Sequence, residues 1–104
     1  MKQLTGIEIL EVRWVPTEGV WTVWFEVAYP GETYCRSEVR LFPSAVGEGD
    51  GGIEGTREGL LENRVARVAR DHLVTVLQEE GRPVSVVIGV DAGGREVLER
   101  SFPT

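Results

Sequence analysis

The chain of 104 residues has one cysteine, one histidine and one lysine, and each shortage narrows what the protein can do. Because Cys35 is alone, the chain can form neither an internal disulfide nor a cysteine-cluster zinc site. A chain of this length can bury an apolar core unaided, so its folding does not require such a cross-link. We therefore expect neither a metal nor a cofactor.

Positive charge is scarce as well. Seventeen acidic residues outnumber ten arginines and the single lysine, which gives the chain a net charge of −6. A negative charge of this size keeps a protein soluble and repels nucleic-acid phosphate at long range. Binding to nucleic acid is therefore not expected.

Long apolar runs are missing too. No run approaches the eighteen residues that a membrane helix requires, and the first residues lack the layout of a signal peptide. We expect a cytoplasmic protein that makes no membrane contact. The content of 41% hydrophobic and 27% charged residues is ordinary for a globular protein, and residues 1–104 have the length of a single domain.

Five segments show the two-residue alternation of apolar side chains that is typical of strands. Residues 20–29 show it most clearly, with one apolar set that should face a helix. In residues 6–15 the alternation shifts by one residue, which predicts a β-bulge near Ile9 and Leu10. Near the end of the chain, Leu98 and Phe102 are predicted to share a face. The predicted strands are residues 6–15, 20–29, 33–42, 84–91 and 95–102.

Proline and glycine mark the connections between these strands. Pro30 and Gly31 fit a type II turn, because proline sets the first φ and glycine accepts the positive second one. Residues 16–19 and 92–94 are further predicted turns. Residues 43–55, of which five are glycine, are predicted to be a loop without periodicity.

Residues 56–81 show the only sustained helical period in the chain. Thr56 is a suitable N-cap, Gly81 suits the position just past a helix end, and Pro83 prevents continuation. The apolar side spans about half of the circumference, which is wide enough to cover a sheet. That side consists of Leu61, Val65, Val68, Ala69, His72, Leu73, Val76 and Leu77, with Ala66 at its margin.

Together these elements predict an α+β fold. We expect an antiparallel sheet of about five strands, in the order β-β-β-α-β-β, with one long helix packed on one face. Strand faces of different polarity are typical of an antiparallel sheet with one covered side. The sequence leaves open where the last two strands join the sheet.

Two alternative functions would use the space between the helix and the sheet. One is a small-ligand pocket lined by Trp21, Phe25, Cys35 and His72. The other is an enzyme that uses Cys35 and His72, and it has less support. Nothing near Cys35 would ionise its thiol, because alternation sends Arg36 to the other face, and free cysteines are often buried. No catalytic residue is assigned.

Trp24 is the residue that the predicted core does not explain. It is offset by three positions from Trp21 and so points away from the helix. If Tyr34, Phe42 or Trp14 lies beside it, the uncovered face of the sheet carries an aromatic patch. Monomers seldom leave such a patch exposed, and tryptophan and tyrosine are favoured at the centres of interfaces. The alternative is a single half-exposed Trp24 that the glycine-rich loop or the chain termini cover.

Arg36 and Arg40 share this face and can pair with Glu26 and Glu38 around the tryptophan. Two-fold dimers are the commonest oligomers. We therefore predict an interaction or assembly module that acts as a homodimer through the open face of the sheet, although another protein is a possible partner. The predicted interface residues are Trp24, Tyr34, Arg36 and Arg40.

Overall fold

A computed structural model describes residues 6–46, 58–81 and 83–103 of the chain. The predicted α+β fold and the element order β-β-β-α-β-β are confirmed. The elements are β1 (Gly6–Val15), β2 (Val20–Tyr29), β3 (Thr33–Leu41), α1 (Pro43–Val46), α2 (Glu58–Glu80), β4 (Val84–Val90) and β5 (Glu96–Pro103).

The short helix α1 corrects part of the predicted loop. Pro43 occupies its first position, where a fixed φ favours a helical turn and the missing N–H costs nothing. The N–H of Ala45 donates a hydrogen bond to the carbonyl of Phe42 at 2.9 Å, and Val46 is buried in the core. The rest of that predicted loop lies outside the described residues.

The five strands form one sheet in the order β1-β2-β3-β4-β5. Neighbouring strands are antiparallel except β3 and β4, which are parallel. Parallel neighbours require a crossover, and α2 lies in the connection between these two strands. The last hairpin therefore joins the sheet beside β3, a placement that the strand pattern alone did not determine.

The core lies between α2 and one face of the sheet. Strands β2, β3 and β4 alternate buried with less buried residues, and α2 contacts all five strands. Full burial of an aliphatic or aromatic side chain contributes about 1.5–3 kcal/mol. The largest side chains with almost no exposure are Phe25, Leu41, Leu73, Ile88, Val23, Val27, Val39, Val65, Val84, Val86 and Val90.

Helix α2 ends where the sequence predicts. Gly81 has a φ of 71°, and its N–H donates to the carbonyl of Leu77 at 3.1 Å. The predicted N-cap, Thr56, lies outside the described residues. Along the predicted apolar side, burial begins at Val65, whereas Leu61 is exposed.

The bulge predicted in β1 is confirmed. Ile9 pairs with Phe25 and Glu11 pairs with Trp24, so Leu10 is an extra residue without a register partner. Because of this extra residue, the apolar residues before and after the bulge lie on the same face of the sheet. Four residues of β1 consequently lie on the helix side of the sheet: Ile7, Ile9, Val12 and Trp14.

A second bulge lies in β5 at Glu99. Consecutive residues of β4 pair with Leu98 and Arg100, which leaves Glu99 as the extra residue. Leu98 therefore faces the helix side, and Phe102 faces the opposite side. The prediction that these two residues share a face is wrong, because no apolar residue or glycine marks the bulge in this polar strand.

Ser37 links the two parallel strands in the core. The parallel pairing of β3 with β4 covers only four residues of each strand, beginning at Glu38 and Val87. One residue before it, the buried Ser37 hydroxyl oxygen accepts a hydrogen bond of 3.1 Å from the N–H of Val86. A side chain here satisfies a buried backbone donor at the end of the ladder.

We predict that Ser37→Ala lowers the free energy of unfolding by about 1–2 kcal/mol, because it leaves the Val86 N–H buried without its acceptor. Chemical denaturation monitored by tryptophan fluorescence measures the change. Ser101→Ala, at an exposed serine of β5, is the matched control and should change stability by less than about 0.5 kcal/mol. An equal effect of the two substitutions would contradict the role given to Ser37.

Candidate interaction surface

The face of the sheet opposite α2, here called the open face, carries Trp24 near the middle of β2, the second of the five strands. The flanking register partners of Trp24 are Glu11 on β1 and Glu38 on β3. The next rung towards the start of β2 places Thr22 between Arg13 and Arg40. Thr22 is nevertheless buried, and the stems of long arginine side chains can cover such a residue. On the open face, Trp24 and Thr22 are therefore flanked on both sides by charged residues.

The charges around Trp24 are paired within the chain. Arg13 pairs with Glu11 at 2.5 Å, and its guanidinium carbon lies 5.6 Å from the Trp24 ring centroid. On the other side, Arg40 Nε donates to Glu38 Oε2 at 2.7 Å. A cation near an aromatic face is attracted by the ring quadrupole. Trp24 is therefore held between two arginine–glutamate pairs and remains only half-buried.

Arg40 also lies 3.8 Å from Glu99, across the sheet on β5. The hydrogen bond to Glu38 is the main reason that the pKa of Arg40 is raised, and the charge of Glu99 adds to it. The carboxylate of Glu99 lies over Gly89, where an added Cβ would meet Glu99 Oε2 at 2.5 Å. A glycine at position 89 therefore leaves the space that this carboxylate occupies.

Tyr34 and Arg36 lie towards the opposite end of the open face from Phe42. Arg36 lies 3.9 Å from Glu26, so the two pairs that the sequence predicts, Arg36 with Glu26 and Arg40 with Glu38, are both present. Tyr34 is opposite Ala28 and is 60% exposed.

The aromatic residues do not form one patch around Trp24. Tyr34 is separated from the rung of Trp24 by four residues of its strand, about 13 Å. Trp14 lies on the helix side, with its ring centroid 5.4 Å from that of Trp21. Phe42 borders a different depression. Of the arrangement that the sequence suggested, the structure keeps Trp24, Tyr34, Arg36 and Arg40 on one face but separates the rings.

Three of the depressions lined by described residues lie along the open face, with volumes of about 250–300 Å³. Leu10, Trp24 and Arg36 border the middle one. Tyr34 borders the second, beside β1. The third is lined by Glu18, Val20, Arg40, Phe42, Gly89, Val90, Asp91, Val97 and Glu99. The surface is therefore corrugated, with projecting aromatic rings beside each hollow.

The four residues predicted to line a ligand pocket are not brought together. Phe25 and Cys35 are packed in the core with almost no exposure, whereas Trp21 lies at the sheet margin against Trp14. His72 Nδ1 lies 2.6 Å from Glu96 Oε2.

The register also separates Cys35 from His72. Glu96 belongs to the rung of Leu41, and Cys35 lies six residues from Leu41 on the same strand, about 20 Å away. The two side chains that a cysteine–histidine enzyme requires thus lie towards opposite ends of the sheet. His72 instead connects α2 to the edge strand β5, a contact that alternation could not reveal because it depends on how the last hairpin joins.

Tyr29, at the end of β2, carries a polar hydroxyl into the core. Tyr29 is 4% exposed, and its hydroxyl has no hydrogen-bond partner among the described residues. Burial raises the pKa of this phenol, and the nearby Cys35 raises it further. A buried hydroxyl without a partner costs free energy on folding.

We predict that Tyr29→Phe raises the free energy of unfolding by about 1 kcal/mol, because it removes the unpartnered hydroxyl and keeps the ring. The folded-state pKa is raised, so the wild type should lose stability as the pH rises above the ordinary tyrosine value of about 10. The phenylalanine variant should lack that loss. Urea titrations from pH 8 to 11 measure both effects.

Tyr34→Phe, at an exposed tyrosine, is the matched control and should change stability at pH 8 by less than about 0.5 kcal/mol. A destabilised Tyr29→Phe variant would mean that the hydroxyl has a partner in solution.

Within the described ranges, no group of three or more histidine, cysteine, aspartate or glutamate side chains is arranged to hold a metal ion. Neither helix in those ranges is long and apolar enough to cross a membrane. Comparisons with protein-family models, with curated proteins and with solved structures find no match to this chain.

Proposed function

We propose that the protein is an interaction module that acts in the cytoplasm as a homodimer, with the open face as its contact surface. The observation that carries this proposal is a sheet face that no described helix covers and that holds a half-buried Trp24 and a 60% exposed Tyr34. Large aromatic side chains on an uncovered face favour association, because their burial removes much apolar surface from water.

The charge of the open face also supports association between identical copies. Its described strand residues include four arginines and five glutamates, a balance of −1 in a chain of net charge −6. Two copies can therefore approach through this face with less repulsion than through a surface that carries the average charge. These residues are Arg13, Arg36, Arg40, Arg100, Glu8, Glu11, Glu26, Glu38 and Glu99.

The shape of the open face supports the same proposal. A two-fold interface uses one patch twice, so the patch must offer both projections and hollows. Tyr34 projects beside a depression of about 250 Å³, and Trp24 borders one of about 270 Å³. Arginine–glutamate pairs within each chain lower the cost of burying charge, because each charge keeps its partner.

We expect Trp24→Glu to halve the native mass of the assembly while the chain stays folded. The new carboxylate would lie between Glu11 and Glu38, so its burial against a second copy would leave uncompensated charge. Light scattering on a sizing column at two protein concentrations measures the mass, against 11.5 kDa for one chain.

Gln78→Glu is the matched control, since it adds the same charge on the exposed side of α2 and should leave the mass unchanged. Circular dichroism confirms that both variants remain folded. An unchanged native mass in Trp24→Glu would rule out the open face as the contact surface.

A further inference from the structure

Strand β1 is an outer strand of the sheet, and its outer edge faces no other described strand. Six of its ten residues are exposed. An outer strand of this length presents unpaired N–H and C=O groups, which can pair with a strand of another chain.

The helix side of β1 is incompletely covered. Ile9 is 43% exposed and Trp14 is 40% exposed, although both point to the same side of the sheet as the core. Their register neighbours on β2 behave differently, because Phe25 has no exposure and Trp21 is half-buried. Apolar surface on the core side of the sheet thus remains in contact with water along this edge.

The sequence of β1 is complementary to itself when it is read in the opposite direction. With Leu10 and Glu11 at the centre, Glu8 falls opposite Arg13. The other opposed pairs are Ile9 with Val12, Ile7 with Trp14, and Gly6 with Val15. Oppositely charged residues and apolar residues placed directly opposite each other stabilise a strand pair.

The bulge makes this complementarity possible. In a regular strand, residues separated by an odd number of positions point to opposite faces, so Glu8 and Arg13 could not meet across a two-fold axis. The extra Leu10 shifts the phase, and both side chains lie on the open face. Ile9 and Val12 both lie on the helix side for the same reason.

We propose that two copies of this chain join through β1, which pairs with β1 of the second copy in antiparallel register around Leu10 and Glu11. Glu8 of each copy then lies opposite Arg13 of the other on the open face. Ile7, Ile9, Val12 and Trp14 of both copies form one apolar row on the helix side. The product is a single sheet of ten strands.

Neighbouring registers are less favourable. Sliding one β1 along the other by two residues in one direction places Glu8 opposite Glu11 of the second copy. Two carboxylates then face each other. The opposite shift places Arg13 opposite Leu10 and leaves Glu8 opposite Val15. Only the central register gives two oppositely charged pairs and apolar pairs together.

This interface goes beyond the proposed function, because it uses the edge of the sheet and leaves the open face free. A two-fold axis perpendicular to the sheet keeps both α2 helices on one side and both open faces on the other. The pairing is also closed, since each copy contributes the same edge and no further β1 edge remains.

Disulfide trapping tests the register directly. Glu8→Cys chains mixed with Arg13→Cys chains should form a cross-linked heterodimer in mild oxidant, because directly opposed residues have Cα atoms about 4.5–5.5 Å apart. The matched control replaces Arg13→Cys with Val12→Cys, which moves the thiol by one residue to the helix side. The buried Cys35 is common to all variants.

Charge reversal provides the second measurement. Glu8→Arg alone and Arg13→Glu alone should each halve the native mass, because each places like charges opposite one another twice. An equal mixture should regain the wild-type mass, since the pairs are then again opposite in sign. Glu79→Arg, on the exposed side of α2, makes the same charge change away from the edge and should not alter the mass.

Cross-linking of Glu8→Cys with Arg13→Cys at no more than the control yield would overturn the proposal. So would a wild type that remains a monomer, or single reversals that keep the wild-type mass. The cross-link also separates this interface from the open face. Sheets stacked face to face lie about 10 Å apart, which is farther than the two Cα atoms of a disulfide can be.

Discussion

The structure depends on the packing of one long helix against one face of a five-stranded sheet. Helix α2 contacts all five strands, and its buried residues join those of β2, β3 and β4 in one core. A single helix is about 10–12 Å across, whereas five strands span about 19 Å between the outer two. The central strands are therefore well covered, and the outer strands keep apolar residues in contact with water.

This difference in width between the helix and the sheet explains which apolar side chains remain exposed. Ile9 and Trp14 on β1 and Leu98 on β5 all point to the helix side, and each is at least 40% exposed. The register partners of Ile9 and Leu98, which are Phe25 and Ile88, have no exposure, and the partner of Trp14, Trp21, is half-buried. The margins of the helix side, as well as the open face, are thus places where a second chain can remove apolar surface from water.

The open face is organised by electrostatics rather than by apolar packing. Arginine–glutamate pairs flank Trp24 on both sides and continue to Glu99 on β5. Exposed pairs of this kind contribute little to folding, typically about 0–1 kcal/mol each. Charges that are already paired within one chain lower the cost of burying such a face against another molecule. Folding stability therefore depends on the core between α2 and the sheet rather than on the open face.

The sequence alone determined the strands, the helix, the order of elements and the side of β2 that packs against α2, because each follows from a local period of two or about 3.6 residues. It also indicated the bulge in β1, since the apolar alternation there shifts by one residue. Alternation likewise placed Trp24, Tyr34, Arg36 and Arg40 on one face. The bulge at Glu99 was missed, because the polar strand β5 gives no such marker.

Only the tertiary structure decided which strands are neighbours. The parallel pairing of β3 with β4 determines that Glu99 reaches Arg40 and that Glu96 reaches His72, and it depends on a crossover that no local pattern encodes. The register likewise separates Cys35 from His72 and leaves the Tyr29 hydroxyl without a partner among the described residues. Local periodicity assigns a side chain to a face of the sheet, whereas its neighbours across strands are determined by the packing of the whole chain.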